Sequence, residues 1–274
     1  AIVNDHMART ALQDKVRLWA SQHNDIYSKL SQWVAIKQSY LNVQETITSV
    51  PDAELQASLL DAYRQEKIDE TQGTLVALKK LGSEIRSTRH ESVHSNWVYE
   101  HLDKINQCEL NADSMFGQLD QLYATKKARI DDDLAKELFK EQVRLWVENH
   151  RGTYNAIASW CTQQQAYVNV KETVRNSEEA KQHLSILEVF EQAYKNQETA
   201  DVNALTVLGE KIRSAKYQTA LSQWQYEQSN DVRQLELDIE AKMKSIKADG
   251  QQKRLVLEDD LARELFAEHT VLLN

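Results

Sequence analysis

The sequence predicts an all-α protein built from two tandem three-helix units that share one continuous helix, and three observations carry that prediction. One proline and six glycines in 274 residues leave few places for tight turns, and 41% hydrophobic with 27% charged residues suits long amphipathic helices. The chain repeats itself without a gap at a shift of 127 residues: Trp19, Trp33 and Trp97 return as Trp146, Trp160 and Trp224, which accounts for all six tryptophans. Self-similarity at a fixed period marks tandem structural units. Apolar residues then recur at helical spacing within each repeat, and no β structure is expected.

The first helix of each repeat is expected over 8–45 and 135–172. Trp19, Ile26, Trp33 and Tyr40 fall seven apart, with Val16 and Leu30 on the neighbouring flank, and Trp146, Thr153, Trp160 and Tyr167 repeat the stripe with Val143 and Ile157 beside it. Val16-Arg17-Leu18-Trp19 returns as Val143-Arg144-Leu145-Trp146. Ser49 with Asp52, and Asn176 with Glu179, resemble capping boxes that open the second helix, and Pro51 fits its first turn. That helix carries Leu59, Tyr63, Leu78, Leu81 and Ile85 in one copy against Ile186, Phe190, Leu205, Leu208 and Ile212 in the other; Leu81-Gly82 returns as Leu208-Gly209. Ser92 and Thr219 suit the N-cap of a third helix that brings in Trp97 and Trp224, with Ile105 and Leu110 against Val232 and Leu237. Through Ile130, Leu134, Leu138 and Val143 no cap or breaker intervenes, so the third helix of the first repeat is expected to run into the first helix of the second. At 1.5 Å per residue such helices would make an elongated rod of about 110 to 120 Å.

The domain boundaries read as 7–138 and 139–266. Residues 1–6 read as an appendage before Met7. Leu261-Ala262-Arg263-Glu264-Leu265-Phe266 matches Leu134-Ala135-Lys136-Glu137-Leu138-Phe139, so 267–274 reads as the start of a following segment of a longer protein.

A net charge of −9, negative in both repeats, argues against nucleic acid or an anionic membrane as the main partner. No apolar run reaches the length of a membrane span, and no signal peptide is apparent. Cys108 and Cys161 occupy non-equivalent repeat positions and no glycosylation sequon occurs, which fits free thiols in a reducing cytoplasm.

These residues resemble the spectrin-repeat family, with a tryptophan early in the first helix, one near the third, and a helical linker at Leu138-Phe139-Lys140-Glu141-Gln142-Val143-Arg144-Leu145-Trp146. Phe190-Glu191-Gln192-Ala193-Tyr194-Lys195 with Leu208-Gly209 and Ile212 is similar to the second helix of α-actinin rods. The resemblance implies two tandem spectrin-like bundles, most like the rod of the short, two-repeat α-actinins of fungi and protists. It further implies an antiparallel homodimer that spaces actin filaments, actin being bound only through flanking domains, in the cytoplasmic cytoskeleton. A period of 127 residues departs from the shorter family spacing and puts long connections between helices in question. The alternative is a monomeric spectrin-repeat spacer or docking segment of a spectrin, plakin or other cytoskeletal scaffold.

Few residues tempt a chemical reading. His90-Glu91-Ser92-Val93-His94 spells the H-E-x-x-H of zinc hydrolases, but that chemistry needs both histidines on one helix, and here the string straddles an expected turn that the second repeat does not preserve. His23 and His150 share a repeat position and read as half-buried histidines with ordinary hydrogen bonds. Asp131-Asp132-Asp133 and Glu258-Asp259-Asp260 read as solvated acidic faces, lacking the spacing of a calcium loop. Cys108 and Cys161 have no triad pattern around them. No catalytic, cofactor or metal site is therefore assigned, and no enzyme activity is expected; Trp19, Trp33, Trp97, Trp146, Trp160 and Trp224 read as structural core anchors.

Overall fold

The computed structural model describes residues 2–272, with side chains to Thr270. It is all-α in architecture with two small β-hairpins. In chain order the elements are α1 (Ile2–Asn42), α2 (Val50–Glu70), a π-helical turn (Thr71–Leu75), α3 (Val76–Ser87), β1 (Arg89–Glu91), β2 (Asn96–Val98) and α4 (Leu102–Val168). There follow α5 (Ser177–Gln197), a second π turn (Glu198–Val202), α6 (Asn203–Arg213), β3 (Lys216–Gln218), β4 (Gln223–Gln225) and α7 (Ser229–Leu272). The chain divides into two units at Glu137/Leu138, and α4 passes through that point as one helix of 67 residues.

In the first unit three helical stretches supply one core: Leu30, Val34 and Leu41 from α1; Leu60, Tyr63, Leu75 and Leu78 from α2 to α3; Ala112, Phe116, Leu119 and Ile130 from α4. A smaller cluster of Val16, Ile85 and Ile105 lies under the hairpin, with Trp19 and Trp97 packed against it. The second unit repeats the plan with Ile157, Cys161 and Val168 from α4, Leu187, Phe190, Tyr194 and Leu205 from α5 and α6, and Ile239, Met243, Ile246 and Leu257 from α7. Its smaller cluster is Val143, Ile212, Ala215 and Val232, bordered by Phe139, Trp146 and Trp224.

Both expected caps form. Ser49 Oγ accepts from the Asp52 N–H at 3.2 Å and Asn176 Oδ1 from the Glu179 N–H at 2.9 Å, each satisfying an otherwise orphaned donor of the first turn. The π turns stand at the same repeat position. Tyr63 and Leu75, both buried, are twelve residues apart, about one more than three α-helical turns. A single π turn absorbs that extra residue and keeps both halves of the helix turned to the core.

Several expectations are corrected. The third helix does not begin after Ser92 and Thr219: it starts at Leu102 and Ser229, and the preceding residues pair as antiparallel hairpins with His90 opposite Trp97 and Tyr217 opposite Trp224. Ser92 and Thr219 do cap backbone donors, but of the hairpin turn. Ser92 Oγ accepts from the N–H groups of His94 and Ser95 at 3.0 Å each, and Thr219 Oγ1 from Leu221 and Ser222 at 3.1 and 3.0 Å. A short hydroxyl side chain serves a turn and a helix N-terminus by the same hydrogen bond.

The buried seam of the first helix is also rotated from the aromatic stripe. Val16, His23, Leu30, Val34 and Leu41 are buried, whereas Trp19, Ile26, Trp33 and Tyr40 are half-buried beside them. Leu59, Ile186, Leu110 and Leu237, expected inside, are exposed. Residue 1 of the expected appendage lies outside the described residues, and residues 2–6 are helical. They belong to α1, and Asp5 takes a hydrogen bond from Ser95 Oγ at 2.7 Å and lies 3.0 Å from His90 Nε2. Residues 267–272 of the expected following segment continue α7; 273 and 274 lie outside the described residues.

Candidate functional site

Each unit buries two polar assemblies, at equivalent repeat positions. The first joins the histidine seen in the sequence to a carboxylate and an arginine that the sequence did not single out. His23 Nε2 on α1 faces Glu109 Oε1 on α4 at 3.6 Å, and Arg86 on α3 donates to the other Glu109 oxygen at 3.0 Å and to Asn106 at 3.0 Å. In the second unit His150 lies 3.6 Å from Glu236, which receives Arg213 at 2.5 Å and Arg233 at 2.9 Å. Arg233 stands where the first unit has Asn106, so the second carboxylate gains another guanidinium and is the more buried.

Both histidines are only 1% exposed, buried beyond the half-burial expected of them. Burial pushes their pKa values below the ordinary 6.5, against the pull of Glu109 or Glu236. The imidazoles are therefore neutral at neutral pH, and each can direct an N–H at the facing carboxylate. The glycines of the repeated Leu-Gly pair make room for this: a Cβ on Gly82 or Gly209 would overlap Oε1 of Glu109 or Glu236.

The second assembly closes the far end of the first helix. Lys126 Nζ donates to the carbonyls of Tyr40 and Val43 at 3.2 and 2.8 Å and to Glu45 at 2.7 Å; Lys253 does the same to Tyr167, Val170 and Glu172 at 3.4, 2.6 and 2.8 Å. Both ammonium groups sit over tyrosine rings, at 4.8 Å from Tyr40 and 4.9 Å from Tyr167. A buried cation here satisfies the carbonyls a helix leaves unpaired at its C-terminus and meets the negative end of its dipole.

The six tryptophans are half-buried at the margins of the cores rather than at their centres. Trp33 stacks on Phe116 with centroids 5.9 Å apart and donates its indole N–H to Glu66 at 3.0 Å. Trp160 lies 6.4 Å from Tyr194. Around the second hairpin Phe139 packs edge-on against Trp146 and Trp224, at 6.5 and 5.9 Å, and Lys211 lies 3.8 Å over Trp146. An indole has a polar edge that needs a partner, which favours the margin over the sealed interior.

The H-E-x-x-H string lies on a hairpin: His90 and Glu91 end β1, and His94 is in the turn. Two histidines so placed cannot present nitrogens one helical turn apart. Among the described residues no group of three or more His, Cys, Asp or Glu is disposed to hold a metal ion. The acidic runs pair with bases on their own helices, Asp131 with Lys127 at 2.7 Å, Asp133 with Lys136, Glu258 with Arg254 at 3.5 Å and Asp260 with Arg263. Burial raises the thiol pKa of both Cys108 and Cys161 and keeps them protonated; the Cys161 sulfur is 3.7 Å from that of Met243.

No family model matches the chain, and no curated protein matches it. Among the described residues no helix is long and apolar enough to cross a membrane.

Proposed function

We propose that the chain is a mechanical segment of an actin-filament cross-linking protein of the cytoplasmic cytoskeleton, made of two spectrin-like three-helix bundles, which pairs with a second copy in antiparallel order. Its work is to hold distance between actin-binding ends that lie in flanking domains. The observation that carries this reading is the placement of the buried polar groups. Arg86 and Lys126, and their counterparts 127 residues on, hydrogen-bond to other helices and to the chain's own backbone and so tie helix to helix, with His23 and His150 packed against the same carboxylates. The uninterrupted α4 adds support, since one helix supplies core residues to both units.

Light scattering with intermolecular cross-linking tests the proposal. A mass near twice 31.6 kDa, with lysine cross-links joining the first unit of one copy to the second unit of the other, is the expected result. A monomer across the micromolar range would remove the dimer and leave a single-copy scaffold spacer.

A further inference from the structure

In the first unit three side chains, Tyr123, Lys67 and Asp120, lie together between α2 and α4. Tyr123 sets its ring 6.1 Å from that of Tyr63, and Lys67, whose amino group is 5.8 Å from the Phe116 ring, pairs with Asp120. All three positions change in the second unit: Tyr123 becomes Gly250, Lys67 becomes Tyr194, and Asp120 becomes Lys247. The ring is gone, and the acid is replaced by a base.

The second unit repacks and refills part of the space. Tyr194 turns inward and donates its hydroxyl to the Met243 carbonyl at 3.3 Å. Phe190 leans over Gly250, so that a Cβ there would come within 2.8 Å of the ring. An open groove of about 330 Å³ remains between α5 and α7, with Phe190 and Tyr194 as its apolar floor, Gly250 in its wall and Lys195 and Lys247 on its rim.

Charge at the rim is uneven. Arg254 engages Glu191 through two hydrogen bonds of 2.8 and 2.7 Å, and Glu198 lies 3.5 Å from the Tyr194 hydroxyl. Lys195 and Lys247 have no carboxylate partner among the described residues, and the Lys247 amino group stands 5.8 Å from the Tyr194 ring. Glu198 has no base as partner among the described residues either, so the uncompensated rim charge is two ammonium groups against one carboxylate, a net positive on a chain whose net charge is −9.

We propose that this groove docks an aromatic side chain, tyrosine or phenylalanine, carried on an acidic segment of a partner protein. The ring seats in the open groove beside Phe190 and Tyr194, and flanking carboxylates meet Lys195 and Lys247. A buried aromatic anchor within a polar rim is the usual energetic centre of a protein contact. The site goes beyond the cross-linker reading and does not depend on it.

The test uses the whole chain, isotope-labelled, and a blocked pentapeptide with tyrosine between two pairs of glutamates. Saturable amide shifts at Gly250 and Gln251 are expected. They disappear in Gly250→Tyr, which installs the first unit's own ring, and affinity falls about tenfold both in Lys247→Asp and with alanine in place of the peptide's tyrosine. No shift near Gly250 at millimolar peptide overturns the proposal, as do shifts that survive in a folded Gly250→Tyr. Should that variant not fold, affinity unchanged by both Lys247→Asp and the alanine peptide overturns it equally.

Discussion

The carboxylate of Glu109 occupies the space that a side chain on Gly82 would need, and Glu236 does the same at Gly209. Each glycine is a contact surface for a carboxylate, half-buried at Glu109 and sealed at Glu236, that also meets a histidine and an arginine. Gly82→Ala or Gly209→Ala would gain up to about 1 kcal/mol of helix propensity, yet it would push the carboxylate off its partners. Breaking such a buried pairing costs more, about 3 to 5 kcal/mol. Gly209→Ala, set against the sealed Glu236, should therefore destabilise the fold by about 2 kcal/mol and Gly82→Ala by less, because the half-buried Glu109 can swing toward solvent, measured from the denaturant midpoint of each variant.

Acid should weaken both units. His23 and His150 have folded-state pKa values below 6.5, chiefly through burial, so the unfolded chain takes up protons first as pH falls. Their contribution to stability is fully present above pH 6.5 and is lost as pH drops from there toward the folded values. Denaturation midpoints at pH 7.5 and 5.5 would show the loss, and His23→Gln with His150→Gln should flatten that part of the profile. An unchanged slope in the double variant would assign the acid sensitivity to other groups.

Lys126→Met and Lys253→Met each remove a buried cation from two carbonyls and a carboxylate. A loss of about 3 kcal/mol is expected for Lys126→Met, which strands Glu45, and a smaller one for Lys253→Met, since His183 lies 3.9 Å from Glu172. Adding Glu45→Gln to Lys126→Met should recover part of it; a double-mutant cycle with no coupling energy would show that the two groups act independently.

The helix caps should be worth less and add independently. Ser49→Ala and Asn176→Ala each forfeit one N-terminal hydrogen bond, a cost of about 1 kcal/mol. The sites lie in different units, so the double variant should show the sum in equilibrium unfolding.

Trp97 and Trp224 sit on hairpin strands with their rings half-buried. Truncation to alanine should cost about 2 to 4 kcal/mol, toward the low side of the range for aromatics because part of each ring already meets water. Calorimetry checks this, and Trp224→Ala should be the more costly, since its ring also supports Phe139.

Long-period features were legible in the residues. The repeat aligned every tryptophan, the Ser49 and Asn176 caps and the continuous stretch that became α4, because each is a local choice written in adjacent residues. The hairpins were not. A strand of three residues has a single inward side chain, Trp97 or Trp224, too short a run to show a period of two. His23 was visible as a repeated position, but Glu109 lies 86 positions away on another helix, and the Leu-Gly pair that makes room for it gave no hint of why glycine was needed.

Composition and periodicity by themselves determined the helical class, the tandem plan and the starts of α2 and α5, since helix formation is governed by contacts three and four residues apart and by caps one turn long. Only the tertiary structure decided which side of each helix is sealed, which lysine closes a helix end, and that Phe190 leans over Gly250 where the first unit has Tyr123. Those outcomes depend on residues far apart in the chain competing for one interior, where packing and the need to partner every buried charge select among patterns that are locally equivalent.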